Sequence, residues 1–465
     1  MTSNKKNEIN KINVVILTAG KGSRMKSNLP KILHKVANRS LFEHVLSSVN
    51  EIKADKNIVV ITSDDILNDF KDKMPKEDKK LHYVIQHERL GTGHAVKCAV
   101  ESKYWKKNNK YTGIFYGDVP FISQETIKKM FSLQTRYDLV VLGFEPEDQT
   151  RAYGRLFTEK DLKIGQNCKL YQIKEFKDLP REKPRLCNSG IMVGKTEIFE
   201  KLLPQIKDNN KAKEFYLTDI IELANENGYS IGTYICDEFE VIGINSRVEL
   251  SHAERLYQKQ LREKHLLNGA TMLCKESVYF SYDTKIGQDV IIEPNVFFGK
   301  NVKIGNNCII KQGCYLEDVE IKDNVDIGPY ARTRGGVVIE NGVHIGNFGE
   351  IKKSVIGEGT KSGHFGYIGD ATIGKNANIG AGMVICNYDG VNKKQTKIGN
   401  NCFVGSNATI IAPCELEDNS YVAGGSVITK KVESFALGIG RARQENKQDW
   451  MKRKTELLKK VNKKK

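Results

Sequence analysis

Large apolar side chains recur with a step of six residues in the second half of the chain. They stand at Ile286, Ile292, Phe298, Ile304, Ile310 and Leu316, and again at Ile398, Val404, Ile410, Leu416, Val422 and Ile428. This step fits neither an α-helix nor a two-faced strand. It is typical of a solenoid whose coils of about 18 residues have three short strands, each pointing one large side chain inward. Glycine, asparagine and aspartate between these positions suit corners with positive φ.

Two irregularities interrupt this pattern. Thirteen residues separate Ile385 from Ile398, so we expect residues 386–396 to leave the coil as a loop. Insertions in solenoids map to surface loops that often bind ligands, although a purely structural loop is the alternative. Between Ile310 and Ile327 the pattern predicts that the coil is about half a turn short.

The first half of the chain predicts an α/β domain. Residues 12–19 are a short apolar, β-branched run, as expected of a buried parallel strand. Helical stretches separate most of the further strand candidates, which indicates a Rossmann-like alternation. Those candidates are Ile58–Thr62, Tyr83–Gln86, Gly113–Tyr116 and Asp138–Gly143.

A helix is predicted to join the two halves. Ser246 and Glu249 have capping-box spacing, apolar residues then recur at helical steps, and Gly269 provides a stop. We expect a strut of about 20 residues between two independent domains. The predicted boundaries are 1–245 for the α/β domain, 246–269 for the linker helix, 270–440 for the solenoid and 441–465 for a basic tail.

The composition is typical of a soluble globular protein. The 465 residues are 39% hydrophobic and 28% charged, and the chain begins with a polar, lysine-rich stretch. No apolar h-region follows this start, so we expect no signal peptide, and no run of about 18 apolar residues offers a transmembrane segment. We therefore expect a cytoplasmic protein. The ten cysteines include no CxxC pair, which favours buried reduced thiols over zinc ligands or disulfides.

The net charge of +16 includes a dense basic end, with cations at Lys452, Arg453, Lys454, Lys459, Lys460 and 463–465. Such a tail can contact nucleic acid or an anionic membrane, but a solvated, partly disordered end is the favoured interpretation. No aromatic-interleaved RNA-binding motif is present, so no specific nucleic-acid partner is expected. Anionic small-molecule substrates explain a positive field equally well.

Two motifs of the first half carry candidate chemistry. The first strand runs into Gly20-Lys21-Gly22-Ser23-Arg24, where glycines let backbone N–H groups approach phosphates. Arg24 and Lys31 are placed to neutralise a triphosphate, although a plain strand–turn–helix junction is the alternative. Asp118 follows another strand and is a candidate Mg²⁺ ligand, or instead a helix N-cap before Pro120.

These segments resemble one family over nearly the whole chain, the bacterial bifunctional N-acetylglucosamine-1-phosphate uridylyltransferases/glucosamine-1-phosphate N-acetyltransferases. The matching motifs are Leu17–Met25 with Leu29–Lys31, Gly91–Ala95, Tyr116–Pro120, Gly243–Arg247, Gly363–Tyr367, Asn378–Gly382 and Asn387–Gly390. The resemblance implies a Rossmann-like nucleotidyltransferase domain, a connecting helix and a left-handed parallel β-helix of hexapeptide repeats.

In the front domain, the resemblance implies transfer of UMP from UTP to N-acetylglucosamine 1-phosphate with release of pyrophosphate. Mg²⁺ is expected between Asp118 and Asn245, with Arg24 and Lys31 as a charge clamp. Gly154, Glu175 and Asn188 are expected to contact the sugar. The remaining expected substrate contacts are Leu17, Thr18, Ala19, Gly20, Gln86, Gly91, Thr92, Tyr116 and Gly117.

In the rear domain, the resemblance implies acetylation of glucosamine 1-phosphate by acetyl-CoA, with His364 as general base. Arg334, Lys352 and Lys393 are expected at the sugar phosphate, and Tyr367 and Asn378 at the sugar. Acetyl-CoA contacts are expected from Ala381, Asn387, Tyr388, Ser406, Gly424 and Arg441. The family forms homotrimers with these sites between neighbouring subunits.

Three residues depart from the family pattern. Thr18 replaces an alanine, Gly335 replaces the proline expected after Arg334, which would loosen Arg334, and Gly424 replaces an alanine near coenzyme A. Two rival hypotheses remain. One is a sugar-1-phosphate nucleotidyltransferase with a structural or regulatory β-helix, and the other is a non-catalytic scaffold.

Overall fold

The computed structural model describes residues 11–52, 54–71, 73, 76, 79–176, 179, 184–210 and 212–462. The lysine-rich start at residues 1–10 and the last three lysines at 463–465, which contributed to the expectations about both chain ends, lie outside this part. The chain forms two compact units, Met1–Lys259 and Gln260–Lys465.

The first unit is built on a nine-stranded sheet with the order β5-β4-β1-β6-β10-β7-β11-β9-β8. The strands are β1 Lys11–Leu17, β4 Asp55–Thr62, β5 Leu81–Ile85, β6 Tyr111–Tyr116, β7 Leu139–Phe144, β8 Arg155–Thr158, β9 Asn167–Lys174, β10 Cys187–Lys195 and β11 Ile231–Cys236, and β2 Lys35–Val36 pairs with β3 Arg39–Ser40 as a separate hairpin. The predicted strands at 12–19, 58–62, 83–86, 113–116 and 138–143 are confirmed within three residues at each end.

Helices lie between many of the consecutive strands of this sheet, and α7 follows the last strand. They are α1 Leu41–Asn50, α2 Asp64–Lys71, α3 Thr92–Glu101, α4 Gln124–Ser132, α5 Thr196–Leu202, α6 Ile220–Glu226 and α7 Arg247–Leu267. The start of α1 shows the local logic, because the Ser40 side chain accepts the Glu43 N–H while Glu43 reaches back to the Ser40 N–H. Two apolar clusters lie in this unit: Val14 and Ile16 of β1 belong to one, and Val15 to the other. The strand is therefore buried on both faces, as a central parallel strand requires.

The predicted linker helix is confirmed as α7, which has 21 residues. Gly269 follows it with φ +99°, a conformation that favours glycine at a helix end. The boundary between the two compact units falls within this helix, after Lys259.

The second unit is a three-sided parallel β-helix, as the six-residue step predicts. Its first face has ten strands: β12 Thr271–Met272, β14 Ile291–Ile292, β17 Ile309–Ile310, β20 Asp326–Ile327, β23 His344–Ile345, β26 Lys361–Ser362, β29 Asn378–Ile379, β32 Phe403–Val404, β35 Tyr421–Val422 and β37 Leu437–Gly438. The second face has eight: β15 Phe297–Phe298, β18 Tyr315–Leu316, β21 Arg332–Arg334, β24 Gly349–Lys352, β27 Gly366–Gly369, β30 Val384–Cys386, β33 Thr409–Ile411 and β36 Val427–Ile428. The third face also has eight: β13 Lys285–Ile286, β16 Val302–Ile304, β19 Val319–Ile321, β22 Val337–Ile339, β25 Val355–Ile356, β28 Ala371–Ile373, β31 Thr396–Ile398 and β34 Cys414–Leu416.

Stacking of like side chains builds the interior of this prism. Ile292, Ile310 and Ile327 follow one another in register and are each fully buried. Burial of each such side chain contributes roughly 1.5–3 kcal/mol. Most of the corners hold residues that tolerate positive φ, among them Asp289, Asn301, Asn307, Asn324, Asn376, Asn401, Asn407 and Asn419.

The expectation of a half-missing early coil is wrong. Ile310 pairs directly with Ile327, so this coil is one residue shorter than the one from Ile292 to Ile310. All three strands are present, because the missing residue is at the corner before β19, where Asp318 has φ +48°. The next inward residue is therefore Ile321, five positions after Leu316, and a count in sixes passes over it.

The basic tail contains a helix, α8, which spans Trp450–Asn462. Residues 441–461 are all exposed, and part of the end that we expect to be solvated and partly disordered forms α8. All ten cysteines are free; seven are buried, but Cys274 is exposed. Across the described residues, no helix combines the length and apolarity needed to cross a bilayer.

Candidate active sites

A cavity of about 220 Å³ opens where β1 and β6 end in the first unit. These strands are neighbours, and the carboxyl edge of such a sheet is where ligands bind in open α/β folds. Ten of the predicted substrate residues line it: Leu17, Thr18, Ala19, Gly20, Lys31, Gln86, Gly91, Thr92, Tyr116 and Asp118. The glycine-rich turn, the Gln86–Thr92 segment and the end of β6 thus meet in one place.

Lys31 is the central cation of this cavity. Its Nζ donates to Asp118 Oδ2 at 2.5 Å and to Asn245 Oδ1 at 2.9 Å, and both charged side chains are mostly buried. Gly22 packs against Lys31, since a Cβ on Gly22 would lie 2.8 Å from Lys31 Cβ. The glycine-rich turn therefore holds the lysine close to the two residues expected to bind Mg²⁺.

The two expected metal ligands are held by their backbones. The Asp118 carbonyl accepts the Ile244 N–H at 3.0 Å, and the Asn245 N–H donates to Glu249 Oε2 at 2.6 Å. Their side-chain oxygens converge on a single ammonium group. This donor set of one carboxylate and one amide oxygen fits Mg²⁺, which prefers hard oxygens and fills its other positions with water and phosphate.

The expected sugar residues form a second cluster. The Asn188 N–H donates to the Gly154 carbonyl at 2.8 Å, and Glu175 accepts the Thr218 hydroxyl at 3.1 Å. A Cβ on Gly154 would lie 3.4 Å from Glu175 Oε2, so the three residues are neighbours.

Acidic groups raise two pKa values around this cluster. Burial, and then the charges of Asp118 and Glu175, raise the pKa of Tyr116. Burial, and then the charges of Glu175 and Glu222, raise the pKa of Asp219 to about 6.

Arg24 differs from the other predicted residues. It lies exposed on the 3₁₀ turn Ser23–Met25 and is not among the residues lining the cavity. Sequence reasoning missed Arg89 and Glu214, which do line it. Arg89 donates from Nε to the Ala19 carbonyl at 2.8 Å and pairs with Asp65, so it fixes the turn after β1. Arg89 lies two residues before the predicted Gly91, but its role depends on contacts with Ala19 and Asp65, which are distant in sequence.

In the second unit, three predicted cations meet at the edge of the second face where its strands end. Arg334 and Lys352 are partners on the adjacent strands β21 and β24. The pKa of Lys352 is lowered, first by the neighbouring Lys393 ammonium and then by desolvation of Lys352 itself. The charge of Arg334 acts in the same direction. Asp370 opposes this shift, and Glu350 accepts Nε and Nη2 of Arg334 at 2.9 and 2.7 Å. A bound anion stabilises neighbouring cations of this kind, because it offsets their mutual repulsion.

His364 lies at the opposite edge of this face, where its strands begin. It is exposed and stands between β26 and β27. Lys361 pairs with Asn378 and Tyr367 with Val384, so the register places His364 over Ala381. Asn378, Phe403 and Tyr421 then pair in turn, which sets Ala381, Ser406 and Gly424 at equivalent places in successive coils. The predicted base and three predicted acetyl-CoA residues therefore share one corner.

The Tyr367 side chain lies along the second face, between the edge with His364 and the edge with Lys352. A Cβ on Gly369 would lie 2.5 Å from the Tyr367 hydroxyl, so the side chain points along β27 toward Lys352. The predicted loop is present between Cys386, the last residue of β30, and Thr396, the first residue of β31. Its residue Asn387 is only 6% exposed, whereas Tyr388 is 58% exposed. Asn378 lies half-buried on the first face, and Arg441 is exposed beyond β37.

The three departures from the family pattern are accommodated. The Thr18 hydroxyl donates to the Ile61 carbonyl at 2.7 Å. Gly335 has φ +73°, which proline cannot adopt, and the pairing with Glu350 still holds Arg334. A Cβ on Gly424 would lie 3.2 Å from the Ser406 carbonyl, a tight but small approach.

Comparison with known proteins gives matches in both halves. A MobA-like NTP transferase domain matches residues 14–177, and bacterial transferase hexapeptide repeats match 283–318 and 395–430. A solved structure of UDP-glucose pyrophosphorylase complexed with UDP-glucose covers 53% of this chain and 98% of its own, at 20% identity and a TM-score of 0.44.

Relatives match along almost the whole length. The bifunctional protein GlmU of Zymomonas mobilis is 41% identical over 444 residues, which cover 94% of this chain and 96% of the relative. The bifunctional protein GlmU of Streptococcus agalactiae is 38% identical over 463 residues, covering 95% and 97%. With both domain types in the same order and this identity throughout, the chain belongs to the GlmU family of bifunctional proteins.

Proposed function

We propose that the residues described above carry two steps of UDP-N-acetylglucosamine synthesis. Membership of the family makes the chain a uridylyltransferase and an acetyltransferase. In the proposal, the second unit acetylates glucosamine 1-phosphate, and the first unit joins the product to UMP from UTP. The observation that carries it is the pairing of Lys31 with Asp118 and Asn245 in one unit, and the cation cluster of Lys352 in the other.

In the first unit, the sugar phosphate oxygen attacks the α-phosphorus of UTP and pyrophosphate leaves. The chain has no need of a covalent intermediate, because positioning and charge neutralisation do most of the work in phosphoryl transfer. Lys31 lies on the cavity wall and would neutralise phosphate charge. Gln86, 4% exposed and hydrogen-bonded to the Gly91 carbonyl and His94, would bind the base. Gly154, Glu175 and Asn188 would hold the sugar.

Asp118 and Asn245 would hold Mg²⁺ in this site. When bound, the ion supplies charge to the phosphates and helps to orient them. Lys31 now occupies the position on which the two oxygens converge, so these residues are already arranged around a positive charge. Arg24, exposed on the turn after β1, would add a second cation at the phosphates.

In the second unit, the amine of glucosamine 1-phosphate attacks the thioester carbonyl of acetyl-CoA, and the coenzyme A thiolate leaves. His364 would take the proton that the amine must lose. Arg334, Lys352 and Lys393 would bind the phosphate, with Tyr367 and Asn378 along the sugar. Asn387 and Tyr388 of the loop, the corner residues Ala381, Ser406 and Gly424, and Arg441 would contact acetyl-CoA.

We further propose that the protein acts as a homotrimer. Tyr330, Phe348 and Phe365 occupy successive corners next to the second face and are 48%, 58% and 55% exposed. The rings of Tyr330 and Phe348 stack at 5.3 Å. A ridge of exposed aromatic side chains favours a protein interface, and a neighbouring subunit there would enclose His364.

Two assays on the full chain test the proposal. One follows pyrophosphate released from UTP, N-acetylglucosamine 1-phosphate and Mg²⁺, and the other follows thiol released from acetyl-CoA and glucosamine 1-phosphate. His364→Ala is expected to abolish thiol release alone, and Lys31→Met to lower pyrophosphate release alone. His344→Ala, on β23 in the preceding coil, is the matched control. Thiol release undiminished by His364→Ala would exclude this base, and no thiol release from the wild type would favour a structural β-helix.

A further inference from the structure

We propose that Asp370 is a positioning residue of the acetyltransferase site, which holds the loop at 386–396 in place through Asn387. The inference rests on the proposed function of the second unit and adds a residue to it. Asp370 binds no substrate in this proposal. It acts through the buried amide of Asn387 and through the charge of Lys352.

Asp370 lies at the corner between the second and third faces. Strand register stacks Asp318, Gly336, Lys353 and Asp370 at this corner in four successive coils. All four have positive φ, between +45° and +87°. In the last three coils the backbone hydrogen bonds simply continue the ladder: the Lys353 N–H donates to the Arg334 carbonyl and the Asp370 N–H to the Lys352 carbonyl. The backbone at Asp370 is thus an ordinary corner, and any special role belongs to its side chain.

That side chain reaches the inserted loop. Asn387 Nδ2 donates to Asp370 Oδ2 at 2.5 Å, and Asn387 is only 6% exposed. The Asn387 carbonyl accepts the Lys394 N–H at 2.8 Å, which ties the two arms of the loop together. The Asp370 carbonyl also accepts the Thr396 N–H at 3.1 Å, where the chain re-enters the coil. One residue therefore holds both ends of the loop.

The loop carries groups for both substrates. Asn387 and Tyr388 are proposed contacts of acetyl-CoA, and Lys393 belongs to the phosphate cluster. The Asp370 carboxylate also faces Lys352, where its charge opposes the effects of Lys393 and Arg334 on that ammonium. Loss of the side chain frees the Asn387 amide, so the first property to change should be the affinity for acetyl-CoA.

The test is a double-mutant cycle on thiol release by the full chain. Asp370→Gly keeps the positive φ and removes the carboxylate. We expect it to raise KM for acetyl-CoA about tenfold, the worth of one charge-assisted hydrogen bond, with pyrophosphate release unchanged. Asp370→Asn should restore most of the affinity, because its amide oxygen still accepts from Asn387. Asp318→Gly, at the same corner three coils before Asp370, is the matched control and should change neither assay.

The cycle distinguishes positioning from a merely structural role. In the Asn387→Ala background, Asp370→Gly should cause no further increase in KM for acetyl-CoA, because the hydrogen bond between the two side chains is already absent. Additive effects, or equal losses in the Asp318→Gly control, would overturn the proposal. If the wild type released no thiol, the proposed function itself would fail, and that outcome is separate because it appears before any Asp370 variant is made.

Discussion

Lys352→Met should weaken substrate binding without weakening the fold. Lys352 is 8% exposed and belongs to a cluster with Lys393 and Arg334. The substitution keeps most of the apolar stem and removes the ammonium. It therefore separates the charge of Lys352 from its packing on the second face of the β-helix.

The two expected effects have opposite signs. A lost charge-assisted hydrogen bond to phosphate costs about 1.5–3 kcal/mol, so KM for glucosamine 1-phosphate should rise roughly 10- to 150-fold. In the fold, Lys393 holds the pKa of Lys352 below its usual value of 10.5, so the ammonium destabilises the folded state throughout the range below that lowered pKa. At pH 7 its removal should therefore raise Tm slightly rather than lower it.

Steady-state thiol release and thermal unfolding without substrate measure the two effects. Lys353→Met is the matched control, since this neighbouring lysine is exposed at the corner and carries the same charge. It should change neither KM nor Tm appreciably. The reasoning is refuted if Lys352→Met leaves KM for glucosamine 1-phosphate unchanged, or if it lowers Tm by several degrees while KM rises no more than in the control.

Three further predictions concern the proposed metal site, a half-buried aspartate and a buried histidine. Asp118→Asn should lower kcat/KM for UMP transfer by about a hundredfold or more and raise the Mg²⁺ concentration at half-maximal rate; an unshifted Mg²⁺ titration would contradict the ligand assignment. The pKa of Asp219 is raised from 3.8 to about 6, so stability is lost as pH rises through this range. Asp219→Asn should therefore raise Tm by a few degrees at pH 7.5 but little at pH 4, and equal shifts at both would argue against it. Burial lowers the pKa of His265 from 6.5 to about 4, and the ring packs on Phe280. Stability is then lost as pH falls from 6.5 to 4, and His265→Leu should flatten that decline in urea unfolding; an unchanged slope would exclude this histidine as its source.

Much of the fold could be predicted because its signals are local or periodic. The run at 12–19 is apolar on both faces and became the central strand β1, and the capping residues around α7 marked both its ends. The six-residue step predicted three faces because each inward side chain repeats at a fixed distance. It failed at Ile321, where a corner shortened by one residue shifts the step to five without any change in strand chemistry.

The contacts within the sites were harder to predict because they join distant parts of the chain. Lys352 and Lys393 meet only because a loop leaves the coil and folds back, which no spacing reveals. Asp370 and Asn387, in contrast, are 17 residues apart, one short coil, as are Lys361 and Asn378. Adding one coil length to each polar corner residue would have found this pair. Arg89 was missed because its role depends on tertiary contacts with Ala19 and Asp65.

In the proposed function, the two sites would present their cations to phosphate in different ways. In the first unit Lys31 is already paired with Asp118 and Asn245, so it is available to a phosphate only when another cation satisfies those oxygens. Binding of nucleotide and divalent ion should therefore be coupled there, because each makes room for the other. In the second unit, Glu350 restrains Arg334 but Lys352 and Lys393 face one another, so a phosphate relieves repulsion without displacing a partner. Phosphate binding in that unit should then need no metal, and added salt should weaken it directly, since ions screen the lysines and the phosphate alike.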